Sequence, residues 1–454
     1  MRKTLAERQM LLKTALHRVW PLRVGVPVYN DSRIGSFLLN IGLILYEWLA
    51  GTVPRDQHYR RYTRTDFAQR FSCLDSTGLK AGYTYLDAQT DDARFVLELI
   101  DGAQALGAVC LNYCKVTPFL ENNGHLCGAI IQDQVTGEMA NVYAAQLVNS
   151  IGQWSADPQN KSHYGRLSKG IHLILPKILE NEALLLTGKV NGRIFFITPW
   201  YGLTLLCLPD SDYECDINHV KVEAEEVNSL LSEANRVLKT VNWTEQDIIG
   251  RYAGLSVLKP SAGASLYSIS RDWELITSDN GLLSSIGGRL TSAREDAACI
   301  VDTLCENLKI NKSCKTFGKP FPWLPVGDYQ KWADTTLKKA VALGIDSESA
   351  HWLLRRHGNR VSDVFELIKQ DAELAKRILP ALPFTVADLI FCAQNEMVVH
   401  LEDLLRRRLP LLILSKMTLV ELQRLAEISA KALAWDEDIM KKECELCMQE
   451  WLIR

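Results

Sequence analysis

The stretch that most constrains the chain is Asp279 to Arg294, DNGLLSSIGGRLTSAR. Leu282, Leu283 and Ile286 have strand character, Gly287-Gly288 form a turn, and a helix is expected from Thr291 to about Leu308, entered through Arg289 and Leu290. Two adjacent glycines let the backbone take positive φ and let a ligand come close, because no Cβ stands in the way. The helix behind them aims free N–H groups and the positive end of its dipole at whatever sits over the turn. Anions and electron-rich rings are favoured there. A plain strand-to-helix connection fits the same residues, so the motif alone leaves both readings open.

Length and charge narrow the setting. A chain of 454 residues has room for two or three domains with a sizeable core. Its 47% hydrophobic and 23% charged residues are ordinary for a soluble globular protein. A net charge of -3 argues against a nucleic-acid binder, so no nucleic-acid partner is expected. The close cysteine pairs are Cys110/Cys114 and Cys444/Cys447, with no second pair or histidine cluster at zinc spacing. The thiols therefore read as mostly reduced and buried in a cytosolic protein, with no metal.

No signal peptide opens the chain; Lys3 to Val19 reads as an amphipathic helix instead. The most apolar run, Phe37 to Ala50, is too short to span a bilayer and is interrupted by Asn40 and Glu47. A buried helix is expected. The alternative is an interfacial helix, with Arg55, Arg60, Arg61 and Arg64 meeting anionic headgroups.

Further on, Gly82 to Tyr85 suits a strand, Asp87 to Asp92 a polar turn, Ala93 to Leu106 a helix and Ala108 to Tyr113 a strand. Leu126 to Asp133 and Met139 to Ala145 alternate around Val135-Thr136-Gly137 as a hairpin, and Leu147 to Ile151 is a short buried strand before Gly152. This order belongs to α/β proteins with an inserted antiparallel part. Strands are expected over Gly170 to Pro176, Leu184 to Leu186, Arg193 to Thr198, Thr204 to Leu208, Gly250 to Leu258 and Leu266 to Arg271, with a helix over Ala224 to Val241. Thr316 to Asp328 is rich in Pro and Gly and marks a boundary. Beyond it the pattern is helical, in six segments between Tyr329 and Ala434, with Arg406 to Arg408 read as a solvated helix end.

Several segments together resemble one family, the FAD-dependent glycerol-3-phosphate dehydrogenases. They are YLDAQTDDAR (Tyr85 to Arg94), NSIGQW (Asn149 to Trp154), SKGIHLILP (Ser168 to Pro176), TPWYGLTLL (Thr198 to Leu206), YAGLSVL (Tyr252 to Leu258), Ser270 to Asp272, and Gly281 to Arg294. Their shared order and spacing cover nearly the whole chain. The resemblance implies an α/β chain: a Rossmann-like FAD-binding fold, an inserted mixed or antiparallel substrate domain, and an all-α C-terminal domain. The oxidoreductase body would be residues 1–315, with flavin-side segments near 82–154 and 279–312 and substrate-side strands near 160–278. The helical domain would be residues 329–454.

The implied reaction is hydride transfer from sn-glycerol 3-phosphate to FAD, giving dihydroxyacetone phosphate, with electrons passed to a membrane quinone. The implied place is cytoplasmic, with peripheral contact on the inner face of the membrane and a homodimer left open. By matched position, Gly152, Gly287, Gly288, Leu290 and Thr291 would lie along the flavin, His172 would handle the proton, and Arg271 and Arg289 would hold substrate phosphate. On the residues alone, His172 reads as a satisfied core histidine and Arg271 as a partner of Asp272 or Glu274.

Three departures from the family pattern stand out. No G-x-G-x-x-G lies near the N-terminus, where the first glycines are Gly25, Gly35 and Gly42. The fold is thus expected to be incomplete, with an exposed apolar face and a weak hold on FAD. Ser256 stands where the family has an arginine at the substrate, and Arg289 where it has a lysine. Cys207-Leu208-Pro209 replaces a Gly-Thr-Thr stretch. These departures keep two alternatives in play: an FAD oxidoreductase for another hydroxy or amino acid, or an inactive remnant.

Overall fold

Alternating Leu22, Val24, Val26 and Val28 lay down an eleven-residue strand, β1 (Val19–Tyr29), at the middle of the molecule. Successive side chains of a strand point to opposite faces, so this alternation buries Leu22, Val24 and Val28 on one side. In the computed structural model, which describes residues 2–51, 54, 57–156, 166–188, 192–258 and 272–453, β1 pairs antiparallel with β3 (Leu79–Thr90) and parallel with β9 (Glu182–Thr187). Pro21 and Pro27 lie outside Arg23–Gly25, the stretch paired with β9, so their missing N–H groups cost no bond on that side.

The rest of the main sheet is β2 (Arg60–Thr63), β8 (Arg166–Leu175), β10 (Ile194–Trp200), β11 (Leu203–Tyr213) and β12 (Gly250–Leu258). Its eight strands run in the order β12-β8-β11-β10-β9-β1-β3-β2. A second sheet is the three-stranded meander β4 (Cys114–Asn122), β5 (His125–Asp133) and β6 (Met139–Tyr143). A third joins β7 (Val148–Asn149), β13 (Glu274–Thr277) and β14 (Leu283–Ile286), with β14 central and parallel to β7.

Each face of the main sheet has its own core. On one, Ile171, Leu173 and Leu175 of β8 pack with Val227, Leu230, Leu231 and Ala234 of helix α5 (Ala224–Val237). On the other, Ile174 and Tyr201 join Phe384, Leu389, Leu401 and Leu425 from the C-terminal helices. Those helices, from Tyr329 onward, are therefore packed onto the sheet through a shared apolar core.

A buried ionic cluster ties the same two parts. Helix α4 (Asp92–Ala105) supplies Arg94 and Glu98; α8 (Ser347–His357) ends in Arg355, Arg356 and His357; α10 (Val386–Asn395) supplies Asp388 and is followed by Glu396. Arg94 reaches Glu396 at 2.7 Å, His357 Nε2 lies 2.6 Å from Asp388, and Arg356 contacts Asp388 as well. Glu98 accepts from Arg18 at 3.0 Å and lies 2.9 Å from His17 Nε2. Arg18 and Arg94 also donate to the last carbonyls of α8, at 2.9 Å each. Cations belong at a helix C-terminus, where orphan carbonyls and the negative dipole end collect.

Several expectations are corrected. The first helix, α1 (Arg2–Thr14), stops short of Val19, because the alternation of β1 takes over there. The polar run from Asp87 does not turn; Asp87, Ala88 and Gln89 continue β3, paired with Leu22, Pro21 and Trp20. Ala108 to Tyr113 forms no strand: no neighbour among the described residues pairs with it, and Val109 and Leu111 stand exposed. The apolar helix α2 (Ser36–Ala50) is not buried. Only Leu43 of it is, whereas Phe37 is 80% and Trp48 75% exposed. Arg406 to Arg408 is a solvated end only in part: the run closes a π-helical turn with Arg407 exposed, but Arg408 is buried and donates to the Glu396 carbonyl at 2.8 Å. The strand expected over Leu266 to Arg271 lies outside the described residues.

Candidate active site

Three neighbouring strands present one face. Cys207 of β11, His172 of β8 and Tyr252 of β12 stand opposite one another in register, as do Gly170 with Gly254 and Ser168 with Ser256. Directly paired residues share a face, and so do alternate residues along a strand. The face thus runs from a His172–Tyr252 pair, over two glycines, to a serine pair roughly 13 Å away at strand spacing. A Cβ on Gly254 would meet nothing within 4 Å, and one on Gly170 only the Leu208 carbonyl at 3.8 Å. Among the described residues, the middle of the face is a bare strip with open space above it.

His172 lies flat on Tyr252, ring centroids 4.5 Å apart and planes 5° from parallel. Its Nδ1 is buried and bonded to nothing among the described residues. Burial pushes the imidazole down to about 4 and the Cys207 thiol up to about 12, so both are neutral near pH 7. A core histidine satisfied by its neighbours would have a partner at Nδ1; this one has none among the described residues.

The Gly-Gly turn closes the serine end. Gly287 (φ 70°) and Gly288 (φ 94°) follow β14, and Gly152 (φ 58°) follows β7. These two strands are parallel, Leu283 opposite Val148, so all three glycines gather at their carboxyl ends, where open α/β sheets hold ligands. A Cβ on Gly287 would come within 3.0 Å of the Asp272 carbonyl and 3.8 Å of that of Val257, next to Ser256. One on Gly288 would lie 3.2 Å from an Asp296 carboxylate oxygen. That carboxylate sits in the first turn of helix α6 (Ala293–Asn307). The turn therefore suits a ring edge better than a free anion.

The remaining expected residues are placed less closely. Leu290 and Thr291 line a separate cavity of about 90 Å³ with Arg8, Asp87, Gln89 and Phe95. Arg289 is exposed, and its guanidinium has no partner among the described residues. Arg271 lies outside the described residues. Tyr252 and the Gly170/Gly254 strip are not singled out by the sequence, and Cys207 stands out there only within Cys207-Leu208-Pro209, as a departure from the family pattern. Glycine inside two strand patterns was the available signal, since it often marks close approach of a ligand.

Comparison with known proteins fits this geometry. Residues 1–294 match the FAD dependent oxidoreductase family, and residues 324–440 match the C-terminal domain of alpha-glycerophosphate oxidase. A glycerol-3-phosphate dehydrogenase of Synechocystis sp. is 32% identical over 90% of this chain and 77% of its own length. The chain belongs to the FAD-dependent glycerol-3-phosphate dehydrogenase family. An aerobic glycerol-3-phosphate dehydrogenase of Bacillus subtilis is 29% identical over 88% of this chain and 75% of its own. The FAD complex of the Bacillus halodurans glycerol-3-phosphate dehydrogenase superposes with a TM-score of 0.81 at 25% identity, covering 99% of this chain and 85% of that one.

As in other members of this family, the cofactor is FAD. Of the three positive-φ glycines, Gly152 has open space among the described residues where a Cβ would stand, whereas Gly287 and Gly288 make room for the Asp272 carbonyl and the Asp296 carboxylate. No glycine-rich strand–turn–helix for the pyrophosphate end occurs among the described residues.

Burial of neutral imidazoles has a consequence for stability. His172 and His357 titrate near pH 6.5 when unfolded and near 4 in the fold. Between those values the unfolded chain binds more protons, so stability is full above about 6.5 and is lost as pH falls toward 4. Urea unfolding at about pH 7.5 and pH 5 should differ in that direction by on the order of 2–4 kcal/mol for the pair. Equal midpoints would show that these rings are not held neutral.

Proposed function

We propose that the chain oxidises sn-glycerol 3-phosphate to dihydroxyacetone phosphate, with electrons passing from FAD to a membrane quinone. The reading rests on one observation above all: a neutral His172 whose Nδ1 has no partner among the described residues, at the end of a bare glycine strip that leads to the Gly287-Gly288 turn. Bound FAD supplies an oxidised ring that accepts hydride. His172 takes the proton of the C2 hydroxyl, a role that needs the neutral imidazole its burial enforces. Arg289, with Arg271, reaches along the strip to hold the phosphate, and Ser256 stands where a further cation would be expected. Gly152 and the Gly170/Gly254 strip leave room for the ring, Gly287 and Gly288 shape the turn beside it, and Leu290 and Thr291 follow that turn on the cofactor side.

Ser256 also favours a second reading, in which a hydroxy acid or amino acid takes the place of the phosphate ester. A carboxylate carries less charge than a phosphate and needs fewer cations. Dye-reduction rates with added FAD separate the two. Glycerol 3-phosphate should be turned over, with glycerol, lactate and glycine giving little; faster turnover of lactate or glycine would replace the first reading by the second.

Peripheral membrane contact belongs to the same proposal. Among the described residues no helix is long and apolar enough to cross a membrane. Helix α2 instead exposes Phe37, Leu38, Ile41, Leu45 and Trp48, and Arg60, Arg61 and Arg64 stand exposed shortly after it. An apolar face beside cations is what an anionic bilayer surface takes. Co-sedimentation with phosphatidylglycerol vesicles should fall about tenfold or more in a Phe37→Glu/Trp48→Glu double variant. Equal sedimentation of variant and parent would remove α2 from the contact.

A further inference from the structure

A cavity of about 330 Å³ lies between the sheet and α8, lined by none of His172, Cys207 or Tyr252. Its walls are Trp20 of β1, Trp200 and Tyr201 at the β10 end, and Trp352 of α8. Tyr201 stacks on Trp352 with centroids 4.0 Å apart, and Trp20 meets Trp352 edge-on at 6.0 Å. Into this aromatic wall projects Arg355. Its guanidinium carbon stands 4.3 Å from the Trp20 ring centroid and 5.2 Å from that of Trp352.

Arg355 has no carboxylate partner among the described residues. Burial, the main influence on it, disfavours its charge, with only tyrosine hydroxyls to offset that. The acids at the cavity rim are already engaged: Glu348 with Arg377 at 2.8 Å, and Glu180 with Lys177 at 2.6 Å. A half-buried guanidinium fixed by two indoles, facing an open cavity and neutralised by no carboxylate among the described residues, is a preorganised anion receptor. The surrounding rings add flat apolar surface, and the volume suits a small organic molecule. We infer that this cavity binds a planar aromatic acid, its ring against the Trp200–Tyr201–Trp352 wall and its carboxylate on Arg355.

Gln89 borders this cavity and also the one lined by Leu290 and Thr291. It accepts from Trp20 Nε1 at 3.1 Å and donates to the Pro199 carbonyl at 2.9 Å. A ligand here is thus one side chain away from the flavin-side pocket, yet uses none of the residues assigned to glycerol 3-phosphate. The site stands independently of the proposed reaction.

Titration of the full chain with 2-naphthoate, followed by tryptophan quenching and calorimetry, tests the site. Saturable binding at one per chain is expected, weakened about tenfold or more in Arg355→Ala. The neutral analogue 2-naphthol should bind more weakly than naphthoate and be indifferent to that substitution, while inorganic phosphate, lacking a ring, should not compete. Lys177→Glu, an exposed rim change that leaves the core alone, should weaken naphthoate severalfold and serves if Arg355→Ala does not fold. The inference is overturned if folded protein shows no saturable binding, or if neither substitution changes the affinity for naphthoate.

Discussion

Replacing Glu396 with alanine is expected to destabilise the protein by about 3–5 kcal/mol, the usual cost of leaving one member of a buried ion pair alone. The partner is Arg94, whose side chain is 1% exposed and whose charge Glu396 stabilises. No other carboxylate among the described residues is free to take over, since Asp388 is committed to Arg356 and His357. The loss should appear as a lower urea midpoint with an unchanged slope. A double Arg94→Met/Glu396→Met variant should recover much of it, because removing both charges also removes their desolvation cost. If Glu396→Ala unfolds at the parental midpoint, the cluster does not join the helices to the sheet as described.

The largest functional effect is expected at His172. His172→Asn keeps a polar group of similar size but no proton acceptor of suitable basicity, and should lower kcat by roughly 10²–10⁴-fold, the range for losing a positioned base. KM should change little, because no phosphate contact is assigned to this residue. FAD affinity should also hold, since the ring-side glycines lie at the other end of the strip. Stopped-flow kinetics with glycerol 3-phosphate separates these quantities. A drop in FAD binding with intact single-turnover chemistry would make His172 a cofactor contact instead.

The glycine turns of the candidate site could be read from sequence because their signals are local. Gly287-Gly288 and Gly152 demand positive φ, and each follows an apolar run that could only be a strand. What pairs across strands could not be read. Tyr252 is 80 positions from His172, and only the register of β8 against β12 brings the rings together. The bare strip likewise needs Gly170 opposite Gly254.

Among the elements, β1 was hidden because Pro21 and Pro27 look like breakers unless the short extent of the β9 pairing is known. Helix α2 showed its apolar character, but hydropathy does not say whether an apolar face meets a core or stays outside. The ionic cluster joins residues as far apart as Arg18 and Arg356, and no periodicity in either segment announces it.

The most direct test of the account is anaerobic addition of sn-glycerol 3-phosphate to the FAD-reconstituted chain, watched in the visible flavin band. The account predicts that the band bleaches in parent protein and bleaches at least a hundredfold more slowly in His172→Asn. Flavin that stays bound and oxidised in the parent at saturating substrate would contradict it.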